Sequence, residues 1–200
     1  MPVPDRETIV ALIERGDRDI RCRLAIEEAW ATVKSKYDSL AWFRRKSTAR
    51  ALMWEYSVQG VIAALQEDRD IRAVPHHDTV SFIIQDKVLM RLKKADNQLV
   101  TKNYPTPLAG LFHRHERDLF GHQGHQRVEL VHVFNPLQTN LLWIGLVARD
   151  EKRNVLWEHE LRSGGATILE LPTAPRPAPA ADTVLRPTKP EIEKREKEEE

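Results

Sequence analysis

The sequence predicts an α+β protein, with N-terminal helices packed on one face of an antiparallel five-stranded meander sheet and a disordered C-terminal tail. Apolar residues recur every three or four positions up to residue 66, as on a helix face, and alternate with a period of two from Thr79, as in strands. The tail is predicted because half of the twelve prolines and a charged run lie between Pro172 and Glu200. We therefore expect a single domain over 1–171, helical at 5–66 and sheet-rich at 79–161, and a disordered Pro-rich and charged tail over 172–200.

Three helices are predicted in the first third of the chain. The first starts at Pro4 and Asp5 and ends at Gly16, a residue that favours helix termination. The second runs from about Asp17 to Tyr37 and the third from about Arg45 to Gln66, each with an apolar stripe at helical spacing. Large side chains expected to anchor this helical layer on the sheet are Trp30, Trp42 and Trp54.

Five strands are predicted from the alternation of apolar and polar residues. They are expected at 79–84, 88–93, 128–134, 141–148 and 155–161. The first two form a hairpin with one buried face, and the last three form a meander with turns at 135–140 and 150–154. Between the two groups, Thr106 is a good N-cap and Pro107 a good first residue for a short helix that ends near His115.

The composition indicates a cytoplasmic protein without a membrane span. The apolar fraction of 41% and the charged fraction of 30% are ordinary for soluble proteins. No apolar run approaches the roughly 20 residues that cross a bilayer, and the acidic N-terminus lacks the apolar core of a signal peptide. The single cysteine, Cys22, excludes an internal disulfide and fits a reducing compartment. We expect a cytoplasmic location, no membrane contact and no cofactor.

Histidines concentrate in one part of the chain, since five of the eight lie between His113 and His132. Neutral imidazoles beside carboxylates are what zinc and similar metals use. Their spacing matches no metal motif with a known geometry, so an exposed polar loop is the simpler interpretation. The weak candidates for metal ligands are His113, His115, His122 and His125.

Motifs for covalent catalysis or for magnesium-dependent cleavage are missing. Cys22 lies within a predicted helix, where a lone thiol is usually a small core residue. No Gly-x-Ser-x-Gly turn and no Gly-rich phosphate loop occur. A restriction-endonuclease type of site needs an acid-x-Lys pair on a strand, whereas Asp86 and Lys87 are adjacent at a predicted turn. The sequence therefore identifies no catalytic residue.

Basic residues form the better candidate for a working surface. With a net charge of +1, any contact with nucleic acid must come from a local patch. Cations cluster at the start of the third helix and around the second strand: Arg44, Arg45, Lys46, Arg50, Arg91, Lys93, Lys94 and Lys102. If the helix start packs near that strand end, these side chains could bind phosphates, with aromatic residues stacking on bases. The alternative is that long basic side chains only solvate two surfaces.

Three short motifs carry a resemblance to a known group of proteins. These are Arg91-Leu92-Lys93-Lys94, then Asn103-Tyr104-Pro105-Thr106, then the closing strand from Val155 to Leu161 with Trp157 and Leu161. Together they resemble a bacterial and phage-associated family of no assigned activity, with a Lys-Lys strand, an Asn-x-Pro-Thr turn and a C-terminal Trp-x-x-x-Leu strand. The resemblance covers roughly 43–161, and the histidine-rich loop after Leu111 departs from it.

That resemblance implies a role with partners rather than a reaction. Genes of the family lie near helix-turn-helix regulators fused or paired with a zinc metallopeptidase, as in toxin–antitoxin-like loci. The first hypothesis is therefore a non-enzymatic regulatory or interaction component of a bacterial or mobile-element module, with a neighbouring gene product as partner. The second is a nucleic-acid-binding or -processing protein that uses the basic patch. The third is a metal-dependent hydrolase that uses the histidine-rich loop. The oligomeric state stays open, since 128–134 or the last strand could expose a pairing edge.

Overall fold

The computed structural model describes residues 4–36, 46–76, 79–101, 112–113 and 124–164. The helices are α1 Arg6–Glu14, α2 Arg18–Lys36 and α3 Lys46–Leu65, with a 3-10 turn at Arg15–Asp17. The strands are β1 Ile71–His76, β2 Thr79–Ile84, β3 Val88–Ala95, β4 Gln126–Phe134, β5 Leu141–Arg149 and β6 Val155–Glu160. Contacts divide the chain into two units, Met1–Ala166 and Thr167–Glu200, and every described residue belongs to the first. The predicted tail over 172–200 lies outside the described residues.

The α+β class and the helical N-terminal part are confirmed. Asp5 caps α1, accepting a hydrogen bond at Oδ2 from the backbone N–H of Thr8 (3.1 Å). Gly16 has a φ of +63°, a backbone conformation that glycine adopts without strain, and it lies in the kink between α1 and α2. Both α2 and α3 begin and end within one residue of their predicted bounds. The predicted short helix after Thr106 lies mostly outside the described residues.

Two arginines form hydrogen bonds that connect the start of α2 to distant parts of the chain. Arg18 donates to Asp68 (Nε to Oδ2, 2.7 Å), just after α3, and these hydrogen bonds lower the pKa of Asp68. Arg162, just after β6, donates to the buried Asp19 (Nε to Oδ2, 2.6 Å). The N-terminal helices are therefore fixed to both ends of the sheet-forming segment by charge-assisted hydrogen bonds.

The prediction of an antiparallel five-stranded sheet is wrong in two respects. Within the described ranges, the sheet has six strands in the order β1-β2-β3-β4-β5-β6, and β3 pairs with β4 in parallel, whereas the other pairs are antiparallel. The additional strand, β1, is short, half exposed and contains Pro75, which suits an edge strand and hides the alternation. The parallel pair follows from the long connection at 96–125, since a short turn can only reverse the chain.

The position of β4 follows from the same topology. It lies between β3 and β5, so 128–134 is interior, and β1 and β6 are the outermost of the strands that the structure describes. The turns predicted on either side of β5 are confirmed: Asn135 accepts from the backbone N–H of Thr139 (2.7 Å) and Asp150 from that of Asn154 (2.7 Å). Local side-chain hydrogen bonds thus shape both turns of the meander.

One large apolar cluster fills the space between the helices and the sheet. It unites side chains of α1, α2 and α3 with the helix-facing residues of β2 to β5, such as Phe82, Met90 and Leu130. Trp30 of α2 contacts Phe134 of β4 edge to face, with ring centroids 4.7 Å apart, so it anchors the helical layer as expected. Trp54 packs against the same cluster, and Trp42 lies outside the described residues.

The opposite face of the sheet is buried as well, which corrects the expectation of a single buried face. Ile83 and Leu89 form a second apolar cluster with Phe112, and Val131, Val133 and neighbouring residues form a third. These residues alternate with the helix-facing ones along the same strands, as the pleat of a strand requires. Both faces of β3 and β4 are therefore withdrawn from solvent.

Candidate functional site

The alternation of side chains along β3 divides the predicted basic patch between the two faces of the sheet. Lys94 lies on the helix side beside Phe134, whereas Arg91 and Lys93 lie on the opposite face near Glu129. Arg50 is exposed on α3. Lys46 is the first residue of α3, with no described side chain, and three further candidates lie outside the described residues: Arg44, Arg45 and Lys102.

Arg50 and Lys94 come together at one cavity of about 670 Å³. We call this cavity the α3–β3 cleft. Its walls are contributed by α3, the end of β3, the turn at 96–100 and the turn after β4. Its aromatic side chains are Trp54 and Phe134. The cleft therefore places two cations beside two aromatic rings, in a volume typical of ligand sites.

Lys94 is held in place by the sheet beneath it. Its Nζ lies 5.2 Å from the centroid of the Phe134 ring and 3.3 Å from Oε1 of Gln138, to which it donates a hydrogen bond. A cation above an aromatic face is attracted by the electron density of the ring. Phe134 is in turn fixed by Trp30. The charge at the cleft is thus positioned by the same packing that joins helices and sheet.

The rim of the cleft consists of two turns that stabilise themselves. Asp96 accepts at Oδ1 from the backbone N–H groups of Gln98 (3.0 Å) and Val100 (2.9 Å). Asn135 organises the opposite turn through Thr139 and Asn140. Because these backbone donors are already satisfied, the cleft is preformed, and exposed polar side chains of the rim, such as those of Asn97 and Gln98, can turn towards a ligand.

A buried histidine lies directly beneath this cleft. His132 of β4 is opposite Lys94 in the parallel register, and its ring meets Phe134 edge to face at 5.4 Å. Burial, with the nearby charge of Lys94, lowers the pKa of His132 to about 3. Its Nδ1 has no hydrogen-bond partner among the described residues. His132 is therefore neutral at physiological pH, a feature that the sequence did not predict for this position.

The opposite face of the sheet carries a buried charged cluster. Glu129 is 1% exposed and accepts from Nε of Arg149 at 2.6 Å, while Nε2 of His113 lies 3.7 Å from its other oxygen. Across the parallel pair, Glu129 is in register with Arg91, whose pKa is lowered to about 10 by burial and by the nearby charge of Arg127. Sequence reasoning missed Glu129, Arg127 and Arg149, because polar residues that alternate with apolar ones also indicate a solvent-facing side.

The candidate metal ligands and the cysteine do not form a catalytic or metal site in the described part of the chain. His125 is buried just before β4, His113 belongs to the charged cluster, and His115 and His122 lie outside the described residues. In the described part of the chain, no three His, Cys, Asp or Glu side chains converge as metal ligands. Cys22 is fully buried, which raises the pKa of its thiol to about 12, so the thiolate needed for nucleophilic attack does not form.

Comparisons with protein families, with curated proteins and with solved structures give no match to this chain. Within the described ranges, no helix has the length and apolar character needed to cross a bilayer. What the protein does must therefore be inferred from its own side chains. The α3–β3 cleft is the candidate functional site.

Proposed function

We propose that this protein acts in the cytoplasm without catalysing a reaction, as a nucleic-acid-binding regulatory component of a bacterial or mobile-element module. The observation that carries the proposal is the α3–β3 cleft, where Arg50 and Lys94 lie beside Trp54 and Phe134. Cations attract the phosphates of a nucleic acid and aromatic rings stack with its bases, and together they make a single-strand binding site. The cleft supplies both components.

The dimensions of the cleft favour a single strand over a duplex. Its volume of about 670 Å³ can take up unstacked nucleotides, whereas a duplex presents its bases only within grooves that a helix or strand must enter. The described cations at the cleft, Arg50 and Lys94, are balanced in part by Asp96. We therefore expect moderate, salt-dependent affinity with little sequence preference.

The chemistry of the described residues favours binding over catalysis. Cys22 is buried as a thiol, and Glu129 is engaged by Arg149. At the cleft, the cations are accompanied by amide side chains, which do not transfer protons at neutral pH, and by Asp96, whose Oδ1 accepts from the backbone N–H groups of Gln98 and Val100.

The part of the proposal that concerns a bacterial or mobile-element module is based on the family resemblance of the Lys-Lys, Asn-x-Pro-Thr and Trp-x-x-x-Leu motifs. That resemblance implies a neighbouring gene product as protein partner. Co-expression with that product tests this part of the proposal.

A binding titration tests the nucleic-acid part. We expect full-length protein to raise the fluorescence anisotropy of a labelled single strand at about 50 mM salt, with affinity that falls as salt rises. Arg50→Ala and Lys94→Ala should each lower affinity about threefold to tenfold and reduce the slope of log K against log salt by about 0.7, the contribution of one phosphate contact.

The matched control is Arg72→Ala. Arg72 is an exposed cation on β1, paired with Asp86 and remote from the cleft in the sheet order, so its loss should leave affinity unchanged. No binding of single strands at low salt, or equal losses in Arg72→Ala and Lys94→Ala, would contradict the proposal. A stable complex with the neighbouring gene product but no nucleic-acid binding would retain the regulatory role and reject the cleft as its surface.

A further inference from the structure

The face of the sheet opposite the helices buries several arginines around one carboxylate, among the residues that the structure describes. Arg91, Arg127 and Arg149 are each more than nine-tenths buried there. Glu129 is the only buried carboxylate of the described residues on this face. Arginine is seldom buried without an anionic partner, because removing an unpaired charge from water is costly. Arg149 is paired with Glu129, whereas another of these arginines makes its one side-chain hydrogen bond to a hydroxyl.

That arginine is Arg91. Its Nε donates to Oγ of Ser81 at 2.9 Å, and its guanidinium carbon lies 4.6 Å from the centroid of the Phe112 ring. Among the described residues, no carboxylate oxygen is within hydrogen-bond distance of it. The hydroxyl of Ser81 and the ring of Phe112 therefore orient the guanidinium. The N–H groups of its two terminal nitrogens have no acceptor among the described residues.

The nearest carboxylate offsets the charge of Arg91 only in part. Glu129 is in register with Arg91 across β3 and β4, but its Oε2 accepts from Arg149 at 2.6 Å and its Oε1 lies 3.7 Å from Nε2 of His113. Oε1 makes no hydrogen bond among the described residues, and the charge of Glu129 acts on Arg91 only through space, where burial of the guanidinium outweighs it. Arg91 is thus near Glu129 without forming an ion pair with it.

Lys93 adds a second cation on the same face. It lies two residues further along β3, so its side chain points to the same side as that of Arg91. Burial lowers the pKa of Lys93, the charge of Arg91 lowers it further, and Glu129 acts in the opposite direction. In the described part of the chain, Nζ of Lys93 forms no hydrogen bond and no ion pair, and Glu129 acts on it only through space. Two neighbouring cations therefore share this part of the sheet.

We propose that Arg91 and Lys93 bind an oxyanion of the phosphate class on this face, at a site distinct from the α3–β3 cleft. The planar guanidinium presents parallel N–H donors that match two oxygens of a phosphate group, and an ammonium supplies donors for a third. Ser81 and Phe112 hold the guanidinium in place before the anion arrives, so little side-chain ordering is required on binding. The phosphate group comes from inorganic phosphate, from a mononucleotide or from a nucleic-acid strand, and the three sources are separated by the test.

Thermal unfolding of the full-length protein provides that test. At a phosphate concentration about tenfold above its Kd, we expect the melting temperature to rise by about 3–6 °C relative to chloride of equal ionic strength. Arg91→Met keeps most of the side-chain volume and removes the charge. It should abolish the phosphate-dependent rise and leave the melting temperature without phosphate unchanged or higher, because an unbalanced buried charge has been removed. Lys93→Gln should reduce the rise.

Two controls separate this site from general salt effects and from the cleft. Arg72→Met removes an exposed cation paired with Asp86 and should keep the full response to inorganic phosphate, as should Arg50→Ala in the cleft. Replacing phosphate by adenosine monophosphate or by a short single strand identifies the source: a rise that occurs with the strand alone and is smaller in Arg91→Met assigns the bound group to a nucleic-acid backbone, since binding at the cleft does not depend on Arg91.

The opposite results would overturn the inference. No rise with any of the three ligands would reject the site, as would a rise of equal size in Arg91→Met and the parent protein. A large loss of stability in Arg91→Met without phosphate would show that Arg91 is a structural residue already neutralised by the fold. Line broadening in the phosphorus-NMR signal of phosphate gives a second measurement, and it should be present with the parent protein, reduced with Lys93→Gln and absent with Arg91→Met.

Discussion

The two faces of the sheet are stabilised in different ways. The face towards the helices buries a continuous apolar cluster, whereas the opposite face combines small apolar clusters with buried charges around Glu129. Neighbouring residues of β4 illustrate the contrast: Leu130 packs into the helical core, and Glu129 binds Arg149 on the other side. One strand therefore serves two environments through the alternation of its side chains.

This difference predicts how a single substitution on each face changes the stability of the domain. Apolar burial is roughly proportional to area and does not depend on the protonation of one partner. A buried ion pair depends on both partners, because the loss of one leaves the other as an unbalanced charge. We therefore expect the helix-facing core to set the stability of the domain. We expect the opposite face to respond to changes of charge.

The largest expected effect is a loss of stability when the buried charged cluster around Glu129 is disrupted. Glu129→Gln should lower the free energy of unfolding by about 3–5 kcal/mol, because Arg149 then remains buried without its anion. Urea unfolding measures the change, with Glu158→Gln as the matched control. Glu158 is an exposed residue of β6 for which a change within about 0.5 kcal/mol is expected. A loss below about 1 kcal/mol for Glu129→Gln would mean that the ion pair is not what stabilises this face.

The next largest effect concerns the aromatic wall of the cleft. Trp54→Leu keeps an apolar side chain against the core but removes the stacking surface. Loss of stacking on a base should weaken single-strand binding by about 1–3 kcal/mol, or about fivefold to 150-fold in Kd. Anisotropy titration measures the loss, and urea unfolding shows whether the domain remains intact. Unchanged affinity in a folded variant would exclude stacking at Trp54.

The third effect is a pH dependence of stability that is caused by His132, which is buried on the helix-facing side of the sheet. The folded pKa is lowered to about 3, below the ordinary value of about 6.5, so the unfolded chain binds the proton first as the pH falls. Stability should therefore decline between about pH 6.5 and about pH 3, and the contribution at pH 5 is about 2 kcal/mol.

His132→Leu should remove that part of the decline. The measurement is the free energy of unfolding from urea titrations at pH 7 and pH 5, compared between the parent protein and the variant. The parent should lose about 2 kcal/mol more than the variant over this range. Equal losses would show that the histidine already carries its proton in the folded state or is reached by water.

The smallest expected effect comes from the negative charge of Asp96 at the rim of the cleft. Asp96→Asn removes the negative charge at the rim and keeps an oxygen that can accept from Gln98 and Val100. Affinity for a single strand should rise about twofold to fivefold, since an exposed charge contributes less than about 1 kcal/mol. The same substitution should leave the phosphate-dependent melting shift of the opposite face unchanged. A decrease in affinity would indicate that the carboxylate contacts the ligand directly.

Much of the architecture was predictable from local patterns. The bounds of α2 and α3 follow from apolar spacing, and the turns after β4 and β5 follow from Asn135 and Asp150. The β1 strand was not predicted, because an exposed edge that contains Pro75 has little alternation. The parallel pairing of β3 and β4 was not predicted either, since the direction of a strand after a long connection depends on contacts between distant residues.

The sites depended on tertiary structure to a greater degree. The sequence identified Arg50, Arg91, Lys93 and Lys94 as cations of interest, but it did not divide them between two faces or bring Arg50 to Lys94. That division requires knowing which face of β3 the helices cover. The sequence by itself determined the helices, the turns and the residue types, because these depend on near neighbours. Only the tertiary structure decided that Glu129 is buried among arginines and that Lys94 borders a cleft, since burial and pairing depend on strands that are distant in the chain.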